Sequence, residues 1–271
     1  MSDPPGLTEP EIAARLRAAG CVFAEDEARL LHASGTDPAE VAGRVERRIA
    51  GEPLEHLLGW AEFAGLRIPV TPGVFVPRRR TEYLVVQARA RTAPGDVVLD
   101  LCCGSGALGM ALAAAVPGVE LYAADSEPAA VACARANLAP LGGRVFQGDL
   151  FDALPAALRG RIDTVLCNAP YVPTPGIDFM PPEARLHEPL VALDGGPDGL
   201  AVQRLVAASA ARWLAPGGTL LIETGADQAG RTAAACSRGG LEARIAHSPE
   251  HGATVVLATA PPADARESRP G

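Results

Sequence analysis

Apolar positions along the chain change their period twice. Up to residue 50 they recur every three or four residues, the spacing of amphipathic helices. Ile12 and Leu16 share one face, Leu30 and Leu31 belong to a second segment, and Val41, Val45 and Ile49 space one turn apart in a third. Thr8 with Glu11 reads as a capping box, Asp37 before Pro38 as a second start signal, and Gly20, Gly35 and Gly51 as ends. Three short helices are predicted, forming a small bundle over residues 1–51. Residues 52–83 carry shorter apolar runs, 66–70 and 74–76, on either side of Thr71-Pro72-Gly73. This pattern predicts a β-hairpin linker, with a helix following over about 81–91.

From residue 96 onward, short apolar runs alternate with helical spacing. Strands are predicted at 96–101, 119–125, 144–149, 161–167, 219–223, 241–246 and 253–259. Between them lie helices with faces at Leu108, Leu112 and Val116, then at Val131, Ala134 and Leu138, then over 198–214. Ser126 is the predicted cap of the second of these. Strand–helix alternation implies an α/β class protein with a parallel sheet covered on both faces. A long loop, 168–197, interrupts the alternation, and loops of that length are often lids. Residues 84–260 form the main domain in this reading, and the polar, Pro-rich 261–271 is expected to be a disordered tail.

The 271 residues are 48% hydrophobic, as a globular protein requires. No run of 18 apolar residues predicts a membrane span, and the N-terminus lacks the layout of a signal peptide. A cytoplasmic location is expected. The net charge of −8 argues against a nucleic-acid binder that relies on bulk charge. All 24 Lys and Arg positions are Arg, which the codon bias of a GC-rich genome explains, so the Arg abundance is not evidence for phosphate recognition. The six cysteines form no CxxC pair and have no His at zinc-like spacing, so reduced thiols and no metal site are expected.

The first predicted strand runs into Cys102-Cys103-Gly104-Ser105-Gly106-Ala107-Leu108-Gly109, a GxGxxG pattern. Such glycines let a ligand approach the backbone ahead of a helix N-terminus. Asp125 ends the second strand, where a carboxylate can accept both hydroxyls of a ribose. Asp149 and Leu150 end the third and could hold an adenine by its edge and face. The fourth strand stops abruptly in Asn168-Ala169-Pro170-Tyr171. Taken alone that stretch also fits an ordinary turn. Beside a nucleotide loop it fits a grip on a flat polar group. The glycines admit either NAD or S-adenosylmethionine; the remaining strand ends favour the latter, and none of the five histidines is an obvious catalytic candidate.

The segments GEPLEHLLGWAEF, VFVPRRRTEYLV, LDLCCGSGALGMALA, CNAPYVP and HEPLVALDGGPDGL resemble the HemK/PrmC family of protein-glutamine N(5)-methyltransferases, over about residues 51–260. The resemblance implies a seven-stranded, Rossmann-like, S-adenosyl-L-methionine-dependent fold with a helical substrate-recognition domain at the N-terminus. It implies methylation of a glutamine side chain, best known in the Gly-Gly-Gln loop of release factors; another protein, a small molecule or a nucleic-acid amine is the alternative substrate. It places the cofactor against Cys102, Cys103, Gly104, Ser105, Gly106, Asp125, Asp149, Leu150 and Asn168, and the chemistry at Asn168, Ala169, Pro170 and Tyr171. Three departures stand out. Ala169 replaces a proline, Cys102-Cys103 replace a glycine and a small hydroxyl residue, and Arg79-Arg80 replace a proline and an acid. Arg78–Arg80 fit either a solvated charged face or a patch that steers an acidic or backbone-rich loop, and Glu82 either a surface helix acid or a partner for one of them. Trp60 and Phe63 are expected to pack the linker against the main domain.

Overall fold

The computed structural model describes residues 6–263; most of the expected tail, from residue 264 on, lies outside them. Four helices open the chain: α1 (Glu9–Ala18), α2 (Ala24–His32), α3 (Pro38–Ile49) and α4 (Leu54–Leu58). The Thr8 N–H donates to the Glu11 carboxylate at 2.8 Å, and the Asp37 carboxylate accepts the Ala39 N–H at 2.9 Å. Both predicted starts therefore satisfy donors that the helix itself leaves unpaired. Ile12, Leu16, Ala28, Leu31 and Val45 fill the bundle. Arg48 is buried beside them and bonds the Glu27 carboxylate at 2.6 and 3.1 Å.

The linker hairpin forms, but not between the predicted strands. β1 (Trp60–Phe63) pairs antiparallel with β2 (Leu66–Pro69). The turn is Ala64-Gly65, at φ +50° and +73°. Two successive left-handed residues match the twist of the flanking strands, whereas the Pro-Gly turn expected to do this would splay them. Thr71-Pro72-Gly73 still turns the chain, with Val74 N–H on Thr71 O at 3.1 Å. The run after it packs on the hairpin instead of pairing with it, burying Val74 and Val76 against Ala61 and Val70. Phe63 is fully buried with Leu84 and Val98, as expected for a linker anchor.

The remaining elements are α5 (Glu82–Arg89), β3 (Val97–Leu101), α6 (Ala107–Ala115), β4 (Glu120–Asp125), α7 (Pro128–Leu138), β5 (Arg144–Gln147), β6 (Ile162–Cys167), α8 (Pro182–His187), α9 (Ala201–Ala210), β7 (Leu214–Thr224), α10 (Ala229–Arg238), β8 (Glu242–Ser248) and β9 (Ala253–Thr259). Seven strands form one sheet in the order β5-β4-β3-β6-β7-β9-β8. The first five are parallel. β9 runs antiparallel to both β7 and β8, so the sheet is mixed where alternation alone implied an all-parallel one. The reason lies in the connection: only residues 249–252 join β8 to β9, and a parallel crossover needs a dozen or more.

Side chains alternate across the sheet with period two. Val98, Leu166, Leu221 and Leu257 face α5 and α6. Leu99, Val165, Leu220 and Val256 face α9 and α10. The parallel register sets Leu101 beside both Ala124 and Cys167, and Asp125 beside Gln147. Four strands therefore end along one edge.

Asp100, next to last in β3, is wholly buried. One of its oxygens accepts the Gly109 N–H at 2.8 Å, and the other has no partner. A Cβ on Gly109 would press on Leu121 and Asp100 at 3.1 and 3.3 Å, so the third glycine of the loop is there for helix–strand contact. Burial pushes the Asp100 carboxyl up to about 8, with the Asp125 charge adding to the rise and the Gly109 bond opposing it. Between about pH 4 and that value the folded chain holds a proton that the unfolded chain has released. Stability from this group therefore falls as pH rises across the window and levels off above it. Asp100→Asn, isosteric with the protonated acid, should flatten the slope. Urea denaturation at pH 5 and pH 8 checks it: wild type should lose on the order of a few kcal/mol more than the variant. Equal losses would show that Asp100 titrates normally.

Candidate active site

The loop after β3 is held by backbone geometry and one carboxylate. Cys102 and Gly104 lie at φ +58° and +54°. The Asp125 carboxylate accepts the Gly104 N–H at 2.9 Å and, on its other oxygen, the Glu127 N–H at 3.0 Å. The end of β4 is thus tied both to the glycine loop and to the start of α7. This corrects the reading of Ser126 as a cap: Glu127 occupies that position without a side-chain bond, and Asp125 supplies the acceptor. A Cβ on Gly104 would meet nothing within 4 Å, so the loop is open on its cleft side.

A cleft runs over this edge. Of the residues predicted for the cofactor, Cys102, Cys103, Gly104, Ser105, Asp125, Asp149, Leu150 and Asn168 line it. Gly106 does not. It sits at φ +77°, where a Cβ would press on Leu138 at 3.1 Å, so it spaces α6 from α7 behind the cleft. Leu150, like Cys102, is a non-glycine residue at positive φ (+47°). Both stand where strand ends turn sharply, a conformation that costs about 1 kcal/mol or more and persists only where surroundings impose it. Phe75, Glu127, Val191 and Ala192 also line the cleft and were not anticipated. Glu127 carried a signal, being two residues past Asp125. The others come from distant loops.

A second, smaller pocket adjoins the first. Both share Phe75, Asn168, Pro170 and Ala192; Ala169 and Tyr171 line only the second, with Arg78, Arg80 and Glu223. Asn168 and Pro170 thus stand where the two pockets meet, and Ala169 and Tyr171 line the second beside them. Neither the Asn168 side-chain amide nor the Ala169 carbonyl has a hydrogen-bond partner among the described residues. Tyr171 is fixed at both ends. Its hydroxyl donates to Glu223 Oε1 at 2.9 Å, and its carbonyl accepts from Gln228 Nε2 at 3.0 Å. Burial, with the Glu223 charge added, raises the phenol above its ordinary range, so it remains a donor.

The 168–197 segment is not the structureless loop expected. It contains α8 and short 3₁₀ turns, and Val172 bridges to Asp194. Glu188 is buried and accepts the Val76 N–H at 3.1 Å and an Arg78 N–H at 2.6 Å. Arg48 of the bundle reaches Glu183 at 2.6 Å. Glu82 accepts the Ala64 N–H at 3.0 Å rather than pairing with an arginine of 78–80. The thiols of Cys102 and Cys103 are held well above their usual range, the first by Cys167 beside it and by burial, the second by burial. They stay protonated and fill space. Among the described residues no cluster of His, Cys, Asp and Glu could hold a metal, and no helix is long and apolar enough to cross a membrane.

Residues 66–178 match the methyltransferase small domain model. The release factor glutamine methyltransferase of Geobacter sulfurreducens is 41% identical over 198 residues, 71% of this chain and 69% of the relative. That of Mycolicibacterium smegmatis is 41% identical over 241 residues, 87% and 84% of the two chains. The chain belongs to the release factor glutamine methyltransferase family. Another relative, at 40% identity over 72% of this chain and 68% of its own length, is the 4-amino-L-phenylalanine/4-methylamino-L-phenylalanine methyltransferase of Streptomyces pristinaespiralis. The fold matches a solved methyltransferase from Pyrococcus furiosus with a TM-score of 0.56 at 15% identity, covering 81% of this chain and 99% of that one. Within the family frame, the segment DGGPDG has a mechanical reason: Gly199, at φ +74°, lies so close to the Tyr171 carbonyl and Gln228 Nε2 that a Cβ would overlap both.

Gly199→Ala should therefore destabilise the fold by more than about 2 kcal/mol, strain and overlap combined. Gly20→Ala, at φ +92° with open space around it, should cost only the left-handed penalty of about 1 kcal/mol. Chemical denaturation of both variants checks this; equal losses would mean that Tyr171 is not held by this contact.

Proposed function

We propose that this chain transfers a methyl group from S-adenosyl-L-methionine to the side-chain amide nitrogen of a glutamine in a protein, the Gly-Gly-Gln loop of a peptide-chain release factor being the substrate that family membership favours. The observation that carries the reading is the pair of unpartnered oxygens, on the Asn168 side chain and the Ala169 backbone, at the wall between two pockets.

The cofactor brings an electrophilic methyl group on a sulfonium. The residues of the first cleft fit it. Asp125 spends one lone pair per oxygen on backbone N–H groups and retains two for ribose hydroxyls. The open face of Gly104 admits the amino-acid end, and Asp149 and Leu150 offer an edge and an apolar face to the base. The acceptor is the harder problem, because an amide lone pair is delocalised into its carbonyl. Asn168 Oδ1 accepts one N–H of the glutamine and Ala169 O accepts the other. Held this way the nitrogen points across the wall toward the first cleft, and both oxygens stabilise positive charge as it develops there. Tyr171 packs on the amide plane and excludes water. No strong base is needed, since a methylated, protonated amide nitrogen is highly acidic. Ala169 lacks the fixed φ of proline, but Pro170 keeps it extended.

In this reading residues 1–51 recognise the protein substrate, 52–83 link, and 84–260 carry out the transfer. The net charge of −8 does not favour direct nucleic-acid binding. Asn168→Ala should lower turnover by about 10²- to 10³-fold, the usual effect of losing one oriented polar group, a larger fall than any loss of cofactor affinity. Mass spectrometry of glutamine methylation, paired with calorimetry of cofactor binding, reads both. Near-normal turnover removes the assigned role, and label appearing only in RNA or small molecules redirects the substrate.

A further inference from the structure

We infer that Arg80 forms an anion subsite in the acceptor pocket and selects acceptors that carry a carboxylate close to the amide being methylated. The inference rests on the reading of the second pocket as the acceptor's and adds what surrounds the amide there.

Arg80 lines that pocket with Tyr171 and Glu223. Its Nε lies 3.3 Å from Glu223 Oε1, the same oxygen that takes the Tyr171 hydroxyl at 2.9 Å. Its guanidinium carbon is 5.8 Å from the Tyr171 ring centroid. Glu223 is only 2% exposed, so the anchor is rigid while the Arg80 side chain is 51% exposed at the mouth. Arg80 Nε bonds Glu223, and the guanidinium also approaches the Tyr171 hydroxyl. A guanidinium held at this end over an aromatic ring, with its side chain half exposed at the mouth, is prepared for a planar two-oxygen anion.

The charge balance points the same way. Arg78 is neutralised by Glu188 at 2.6 Å, and Arg80 is matched by Glu223. Arg79 is exposed and makes no ion pair among the described residues. Glu82, the nearest acid in sequence, is turned to the hairpin. Within the pocket lining itself two guanidiniums, Arg78 and Arg80, stand with one carboxylate, Glu223, a local excess of positive charge on a chain of net charge −8. Glu223 is the only acid lining the pocket.

The carboxylate could be the side chain of an acidic residue next to the glutamine in a peptide, or the α-carboxylate of free glutamine. Full-length protein with S-adenosyl-L-methionine should be assayed on a Gly-Gly-Gln-Asp peptide, the same peptide with Asn for Asp, and free glutamine, for wild type, Arg80→Gln and Arg80→Glu. Wild type should prefer the Asp peptide over the Asn peptide in kcat/KM by about tenfold or more, the worth of one charge-assisted pair, with the difference lying in KM. Arg80→Gln should bring that ratio near one, and Arg80→Glu should reverse it in favour of the Asn peptide. A response to Arg80 confined to free glutamine assigns the anion to the α-carboxylate. A wild-type ratio near one on the peptides together with Arg80-independent methylation of free glutamine, or an equal fall on both peptides in the variants, overturns the subsite. If wild type methylates none of the three, the glutamine reading is what fails. Calorimetry of the S-adenosylhomocysteine-loaded protein with the two peptides and free glutamine then decides the subsite alone: tighter binding of the Asp peptide, or any binding of free glutamine, that Arg80→Gln abolishes supports it, and neither overturns it.

Discussion

Hydrogen-bonded register between parallel strands is the constraint on which everything else in this molecule depends. Because Leu101 sits beside Ala124 on one flank and Cys167 on the other, the residues that follow emerge side by side along one edge of the sheet. A slip of one residue in any of these pairs would turn the terminal side chain to the opposite face. The glycine loop, Asp125 and Asn168 would then no longer border one cleft. Cores on both faces fix the register, since each strand buries alternate residues on opposite sides. The chemistry at the edge inherits its precision from apolar packing that never touches a ligand.

On that frame, a few carboxylates, half-buried at Asp125 and buried at Glu188 and Glu223, carry out the local fixing. Asp125 binds two backbone N–H groups from different elements. Glu188 holds the segment before α5 to the segment after β6, and Glu223 joins the end of β7 to Tyr171 and Arg80. Each sits where its negative charge is met by oriented donors or an arginine, the condition under which an acid tolerates burial. Asp100 is the exception. It meets a single N–H, and its proton takes the place of a counter-charge.

How much of this could be read from the chain follows from range. The seven strands, α6, α7 and α9, the glycine loop and the Asn168–Tyr171 corner are written in local spacing and were legible; α8 and α10 were not expected. The hairpin was misread because Ala64-Gly65 lacks the Asn-Gly or Asp-Gly signature of its turn, while Pro72-Gly73 looks more like one. The antiparallel end of the sheet was legible only through the short 249–252 connection, which periodicity ignores. The partners of the site were not legible at all. Arg78 meets Glu188 across 110 residues, and Arg80 meets Glu223 across 143. No local pattern marks Gln228 or Gly199 as the residues that hold Tyr171 in place; their importance appears only when α10 and the DGGPDG turn are folded against the tip of β6.

The position of β9 has an implication for biosynthesis. It is made after β8 yet inserts between β8 and β7. While the nascent chain is still leaving the ribosome, β8 has no neighbour, and the 11-residue β7 presents a row of unsatisfied amides and carbonyls on one side. Such an edge invites pairing with another chain. The five parallel strands can assemble before β9 exists, and the β8–β9 hairpin, joined by four residues, then docks through β9 onto β7. The interval before that docking is when chaperones would have most reason to bind.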